Sequence, residues 1–133
     1  MGALSAEQVA LLNAGNYAYL ATLMPDGSPQ VSPVWIEADE DHVYVSTVPG
    51  RLKELNMRRD ARVAVAVVDR DHPEDRQVLV RGNVVDITDD GAVDQINRLS
   101  ERYLGLPEYP MLRQGQRRVK VTIRPIRVGG YLG

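Results

Sequence analysis

The residues best suited to chemistry lie in the segment Ser46-Thr47-Val48-Pro49-Gly50-Arg51-Leu52-Lys53-Glu54-Leu55-Asn56-Met57-Arg58-Arg59. Pro49-Gly50 breaks the preceding pattern, and Arg51 to Arg59 suits a short helix. The first turn of a helix presents free N–H groups with a partial positive charge, so Asp or Glu is usual there; here Arg51 and Lys53 occupy it instead. Two cations stacked on those groups are unfavourable unless an anion sits among them. Ser46 and Thr47 stand just before the turn and can donate hydroxyl hydrogen bonds to phosphate oxygens. Arg51 can grip such a group through two N–H bonds, and Lys53 supplies a point charge. The constellation reads as a phosphate site. The same residues also fit a solvated basic helix face, because Arg58 and Arg59 at the far end simply suit the helix dipole.

A second segment is Ser28-Pro29-Gln30-Val31-Ser32-Pro33-Val34-Trp35. As a strand it sets Gln30, Ser32 and Val34 on one face and Val31, Pro33 and Trp35 on the other. A polar side chain at every second position could hydrogen-bond a planar heterocycle, or could simply face water. Trp35 suits packing better than ligand contact. His42 reads as a turn residue, and His72 lies in the charged loop with Asp71, Glu74 and Asp75. No Ser/His/Asp order, Walker-type loop or Rossmann glycine pattern is present, so no catalytic residue is assigned and no metal is expected.

The elements that must position these residues follow from hydrophobic periodicity. Ser5 and Gln8 form a capping box for a first short helix, which Gly15 ends. Strands are expected at Tyr17 to Met24, Gln30 to Ile36 and His42 to Thr47, joined by short turns as an antiparallel meander. Pro33 argues for an edge strand or a bulge. Further strands are expected at Arg62 to Asp69, at Gln77 to Thr88 with Gly82 as a bend, and at Val119 to Arg124. After Asp89-Asp90-Gly91, a helix carries Val93, Ile96, Leu99, Tyr103 and Leu104 on one apolar face and stops at Gly105 and Pro107. Gly129-Gly130 reads as a flexible tail or a turn. The sum is a mostly β chain with helices: six antiparallel strands closing a barrel, helices outside, and one domain over residues 1–133.

Composition limits the function. The 133 residues are 44% hydrophobic and 26% charged, as in ordinary globular domains. There is no cysteine, which removes disulfides, iron–sulfur clusters and thiol nucleophiles. Sixteen basic against eighteen acidic residues argue against a dedicated nucleic-acid binder. No apolar run is long enough to span a membrane, and the start lacks a basic, then apolar, leader, so a cytoplasmic protein is expected.

The ordered series Tyr19-Leu20-Ala21-Thr22-Leu23, Asp26 to Trp35, Arg51-Leu52-Lys53-Glu54-Leu55-Asn56, Arg58-Arg59-Asp60, Arg62-Val63, Val80-Arg81-Gly82, Arg102-Tyr103-Leu104-Gly105, Tyr109-Pro110 and Arg118 to Pro125 resembles the flavin and deazaflavin oxidoreductase superfamily. Its members share the split β-barrel of pyridoxamine 5′-phosphate oxidase, and the chain looks most like the short branch of F420-dependent enzymes. The resemblance implies a homodimer with one cofactor in each of two grooves between subunits. It implies that Arg51 and Lys53 with Ser46 and Thr47 hold the cofactor phosphate, and that Asn56 braces that loop. It further implies that Gln30, Ser32 and Pro33 line the tricyclic ring, while Arg76 and Gln77 approach from a neighbouring strand. The cofactor implied is F420, with FMN as the alternative; Arg58, Arg59 and Arg62 are candidates for the acidic tail of F420. The activity implied is hydride transfer to a small electron-poor organic substrate, with a proton from solvent or from a tyrosine such as Tyr131. A longer chain and the C-terminal substrate motif of the vitamin B6 oxidases are missing. The rival readings are an FMN-dependent oxidase-like enzyme and a non-catalytic carrier of the cofactor or of haem.

Overall fold

Buried and outward side chains alternate along most strands of the computed structural model, which describes residues 2–133. In chain order the elements are α1 (Ala6–Leu12), β1 (Ala18–Leu23), β2 (Pro29–Val34), β3 (Ile36–Ala38), β4 (Val43–Thr47), α2 (Leu52–Arg59), β5 (Arg62–Val68), β6 (Arg76–Thr88), α3 (Ala92–Leu104), a 3-10 turn (Pro110–Gln114) and β7 (Val119–Leu132). One sheet takes all seven strands in the order β2-β1-β5-β6-β7-β4-β3, and every neighbouring pair is antiparallel.

Seven strands replace the expected six because the segment from Gln30 to Ile36 is divided at Trp35. β2 pairs with β1 at one edge of the sheet, and β3 pairs with β4 at the other. Pro33 has no N–H to donate, which suits β2 to the edge it occupies. A single residue therefore joins the two edges, and the sheet must curl until they meet. This is the split barrel. The simple meander does not form, since the neighbours of β4 are β3 and β7 rather than β2.

The interior of the curl is built from the inward positions of each strand: Leu20, Ile36, Val43, Val45, Val65, Val67, Val78, Val80, Val121 and Ile123, with Leu11 and Leu12 of α1 added. Each such side chain, fully buried, contributes about 1.5–3 kcal/mol, so this interior holds the fold. The expected capping box starts α1, with Gln8 N–H on Ser5 Oγ at 3.1 Å and Ser5 N–H on Gln8 Oε1 at 2.8 Å.

The last strand runs well past Arg124, and Gly129-Gly130 lies inside it rather than in a tail. Gly130 has a φ of 91°, and a Cβ there would stand 2.3 Å from the Gln77 carbonyl oxygen. Gly82 is the expected bend: the β6–β7 register shifts beside it, and its Cβ would meet the Arg124 carbonyl at 2.3 Å. α3 buries Ala92, Gln95, Ile96, Leu99 and Ser100, whereas Val93 and Leu104 are exposed. The buried stripe follows the three-and-four spacing from Ala92, and those two residues fall to its sides. Among the described residues no helix is long and apolar enough to cross a membrane.

Candidate functional site

Only Glu54, Asn56 and Met57 of α2 are buried, so polar bonds rather than an apolar stripe seat this helix. Asn56 is fully buried; its Nδ2 donates to Thr22 Oγ1 of β1 at 3.0 Å. Arg59 Nη2 donates to Asn56 Oδ1 at 2.7 Å and to the Leu23 carbonyl at 2.6 Å. Glu54 accepts the Gly50 N–H at 2.8 Å and also pairs with Arg58. Burial pushes the Glu54 carboxyl up, but the Gly50 bond and the bond and charge of Arg58 carry it below its ordinary value. The first turn is thus less basic than expected. Arg51 is the cap residue, without a side-chain cap bond, and Glu54 inside the turn answers the helix dipole.

With the dipole met, Arg51 and Lys53 are turned to another use. They line a cavity of about 270 Å³ together with Ser46, Thr47 and Arg118, while Tyr17, Pro33, Val34, Trp35 and Tyr109 form its remaining wall. Lys53 Nζ donates to Ser32 Oγ at 3.2 Å. Arg118 Nε donates to Ser46 Oγ at 3.1 Å, and its Nη1 to Gln116 Oε1 at 3.0 Å. Among the described residues none of these three cations has a carboxylate within ion-pair distance. Partial burial pushes the Lys53 ammonium below its ordinary value, and the charges of Arg51 and Arg118 lower it further. Three cations without a carboxylate partner line one concave site together with two hydroxyls, an arrangement that can hold an oxyanion.

The structure thus gathers Ser46, Thr47, Arg51, Lys53 and Pro33 around one cavity, with Ser32 attached through Lys53. Gln30 and Asn56 stand behind it: Thr22 Oγ1 lies 3.4 Å from Gln30 Oε1 and accepts from Asn56. Arg76 and Gln77 are not in this cavity. Arg76 Nε pairs with Asp69 at 3.0 Å and its Nη1 meets the Leu132 carbonyl at 2.8 Å, while Gln77 Nε2 lies 3.4 Å from the Tyr131 hydroxyl. Arg58, Arg59 and Arg62 are taken up by their own chain, Arg62 by Asp60 at 2.8 Å. Trp35 both packs and lines the cavity. Its ring stacks on Tyr103 at 5.1 Å and 4°.

Arg118, Tyr109 and Tyr17 are lining residues that the sequence did not single out as site residues. Arg118 immediately precedes the alternating run Val119 to Arg124, but the pairing that brings it to the site, Thr47 opposite Val119, is long-range. A second surface lies on the outside of the barrel. Exposed Tyr19, Val31 and Leu79 line a trough with the small residues Ala21, Ala64, Ala66 and Gly129, and Arg81 and Arg127 line it as well.

The sequence profile of pyridoxamine 5′-phosphate oxidase matches residues 4–128. Among solved structures, an F420 reductase is 32% identical, with 90% of this chain and 94% of that chain covered and a TM-score of 0.76. A conserved hypothetical protein from Mycobacterium tuberculosis is 27% identical over 97% of this chain and 85% of that one, with a TM-score of 0.74. A FAD-binding protein from Mesorhizobium loti, 24% identical over 94% and 92% of the two chains with a TM-score of 0.63, shares the fold. No curated protein sequence matches significantly.

Proposed function

The chain belongs to the pyridoxamine 5′-phosphate oxidase family, and on that premise we propose that it is an oxidoreductase using a phosphorylated deazaflavin, F420, to reduce a small electron-poor organic substrate. The observation that carries this reading is the convergence of Arg51, Lys53 and Arg118 on one cavity without an acid partner. The donor set fits a phosphate group: its negative charge relieves the mutual repulsion of the cations, and Ser46 and Thr47 offer hydroxyls beside them. F420 is preferred over FMN because the F420 reductase is 32% identical over nearly the whole chain. FMN remains the alternative ligand, since it also carries a phosphate at the end of a ribityl side chain.

When bound, the reduced cofactor supplies the hydride, and the protein supplies binding, orientation and electrostatics. Arg51, Lys53 and Arg118 with Ser46 and Thr47 hold the phosphate. Pro33 and Ser32 would line the ring with Gln30 behind them, and Asn56 holds α2 so that Lys53 reaches Ser32. We assign the apolar trough around Tyr19, Val31 and Leu79 to a second copy of the chain, because large apolar side chains 42–62% exposed beside small residues suit a packed sheet face. Gln77, outside the cavity of its own chain, is assigned to the groove of that second copy, whereas Arg76 is held in its own chain by Asp69 and the Leu132 carbonyl.

The test is turnover. Purified protein is mixed with reduced F420, or separately with reduced FMN, and a panel of activated enones and quinones, and cofactor absorbance is followed. Oxidation above the protein-free rate with at least one acceptor is the expected result. Tight binding with no oxidation for any acceptor would make the chain a carrier.

A further inference from the structure

Arg118 is the most closely held cation of the cluster. Besides its bonds to Ser46 and Gln116, its guanidinium lies over the ring of Tyr109, 5.3 Å from the centroid. Tyr109 is fixed in turn. Its N–H donates to Asn97 Oδ1 at 2.9 Å, and its ring meets Trp35 in an edge contact at 5.7 Å and 81°. Trp35 rests on Tyr103, whose hydroxyl accepts the Ile36 N–H at 3.2 Å and donates to the Asn16 carbonyl at 2.5 Å. The platform under Arg118 is therefore tied to β3, to α3 and to the segment entering β1.

A carboxylate at the place of Tyr109 would also hold the guanidinium, but it would cancel the charge and repel an incoming anion. An aromatic face attracts the guanidinium through its quadrupole and leaves the net charge intact. We propose that Tyr109 is a positioning residue for the phosphate end of the cavity, its ring holding Arg118 beside Ser46 with the charge of Arg118 free for phosphate oxygens. The proposal rests on the phosphate reading above and adds to it a residue far from the start of α2. Burial lowers the Arg118 guanidinium from its ordinary value, Tyr109 acts in the opposite sense, and the charge of Arg51 lowers it again. A neutral support suits a cation in that position.

The test is equilibrium binding of F420 and of FMN to the full chain, read from cofactor absorbance or fluorescence, for the wild type, Tyr109→Phe, Tyr109→Leu, Tyr109→Gln, Arg118→Met and the Tyr109→Leu/Arg118→Met pair. Tyr109→Phe keeps the face and stays within about twofold of wild type, while the two non-aromatic variants weaken binding about fivefold or more. In the Arg118→Met background Tyr109→Leu costs less than about twofold, because no guanidinium remains to be held. Losses that multiply in the pair, or a Phe variant as weak as Leu, overturn the proposal. Binding of neither cofactor to the wild type overturns the phosphate reading and this inference together. Phosphate-dependent binding with multiplying losses removes the role of Tyr109 alone.

Discussion

At the start of α2, Arg51 and Lys53 face a cavity shared with Arg118 and no carboxylate beside them; at its end, Arg58 pairs with Glu54 and Arg59 bonds to Asn56 and to the Leu23 carbonyl. Just beyond, Arg62 is held by Asp60, whose carboxyl its hydrogen bonds bring down to about 2. The two ends are equally basic in sequence. What separates them is pairing: a cation that its own chain has already satisfied anchors the helix, and a cation left unsatisfied in a concave site is available to a ligand.

The sharpest break in that comparison is Lys53→Ala against Arg58→Ala. Removing a charge-assisted bond to phosphate weakens F420 or FMN binding by about 1.5–3 kcal/mol, whereas Arg58→Ala leaves affinity within about 0.5 kcal/mol of wild type in the same titration. Equal losses from the two would mean that only the net charge of the helix matters.

Asn56→Ala separates seating from binding. Loss of the buried links to Thr22 and Arg59 lowers unfolding stability by about 1–3 kcal/mol in denaturant titration, with a smaller effect on cofactor affinity than Lys53→Ala. An affinity loss as large as that of Lys53→Ala would place the selectivity of the site in helix position rather than in charge.

The smallest effect is the pH dependence of the paired end. The Glu54 pKa is lower in the folded chain than its ordinary 4.5, so its contribution is complete above that value and is lost as pH falls through the folded pKa. The Tm difference between wild type and Glu54→Gln therefore shrinks as pH drops below 4.5. A difference that is flat with pH would mean that the carboxylate charge is not what Gly50 and Arg58 hold.

Much of this contrast was legible in the sequence, for a local reason. Strands with strict alternation, the capping box at Ser5 and Gln8 and the basic helix start all depend on neighbours within a few residues. What was not legible depends on pairing across the chain. The division at Trp35 follows from which edge each half of the segment joins. The extension of β7 through Gly129-Gly130 requires the partner strand β6. Arg118 enters the cavity only because Thr47 pairs with Val119.

The central claim is that the cation cluster reads a phosphate. It is tested most directly by comparing dissociation constants for FMN and riboflavin, and for the tail-less deazaflavin ribityl 5′-phosphate and its unphosphorylated form, on the same protein at the same salt. The phosphorylated form is expected to bind about 100-fold tighter or more, as two charge-assisted bonds require. Equal affinities for the two would contradict it.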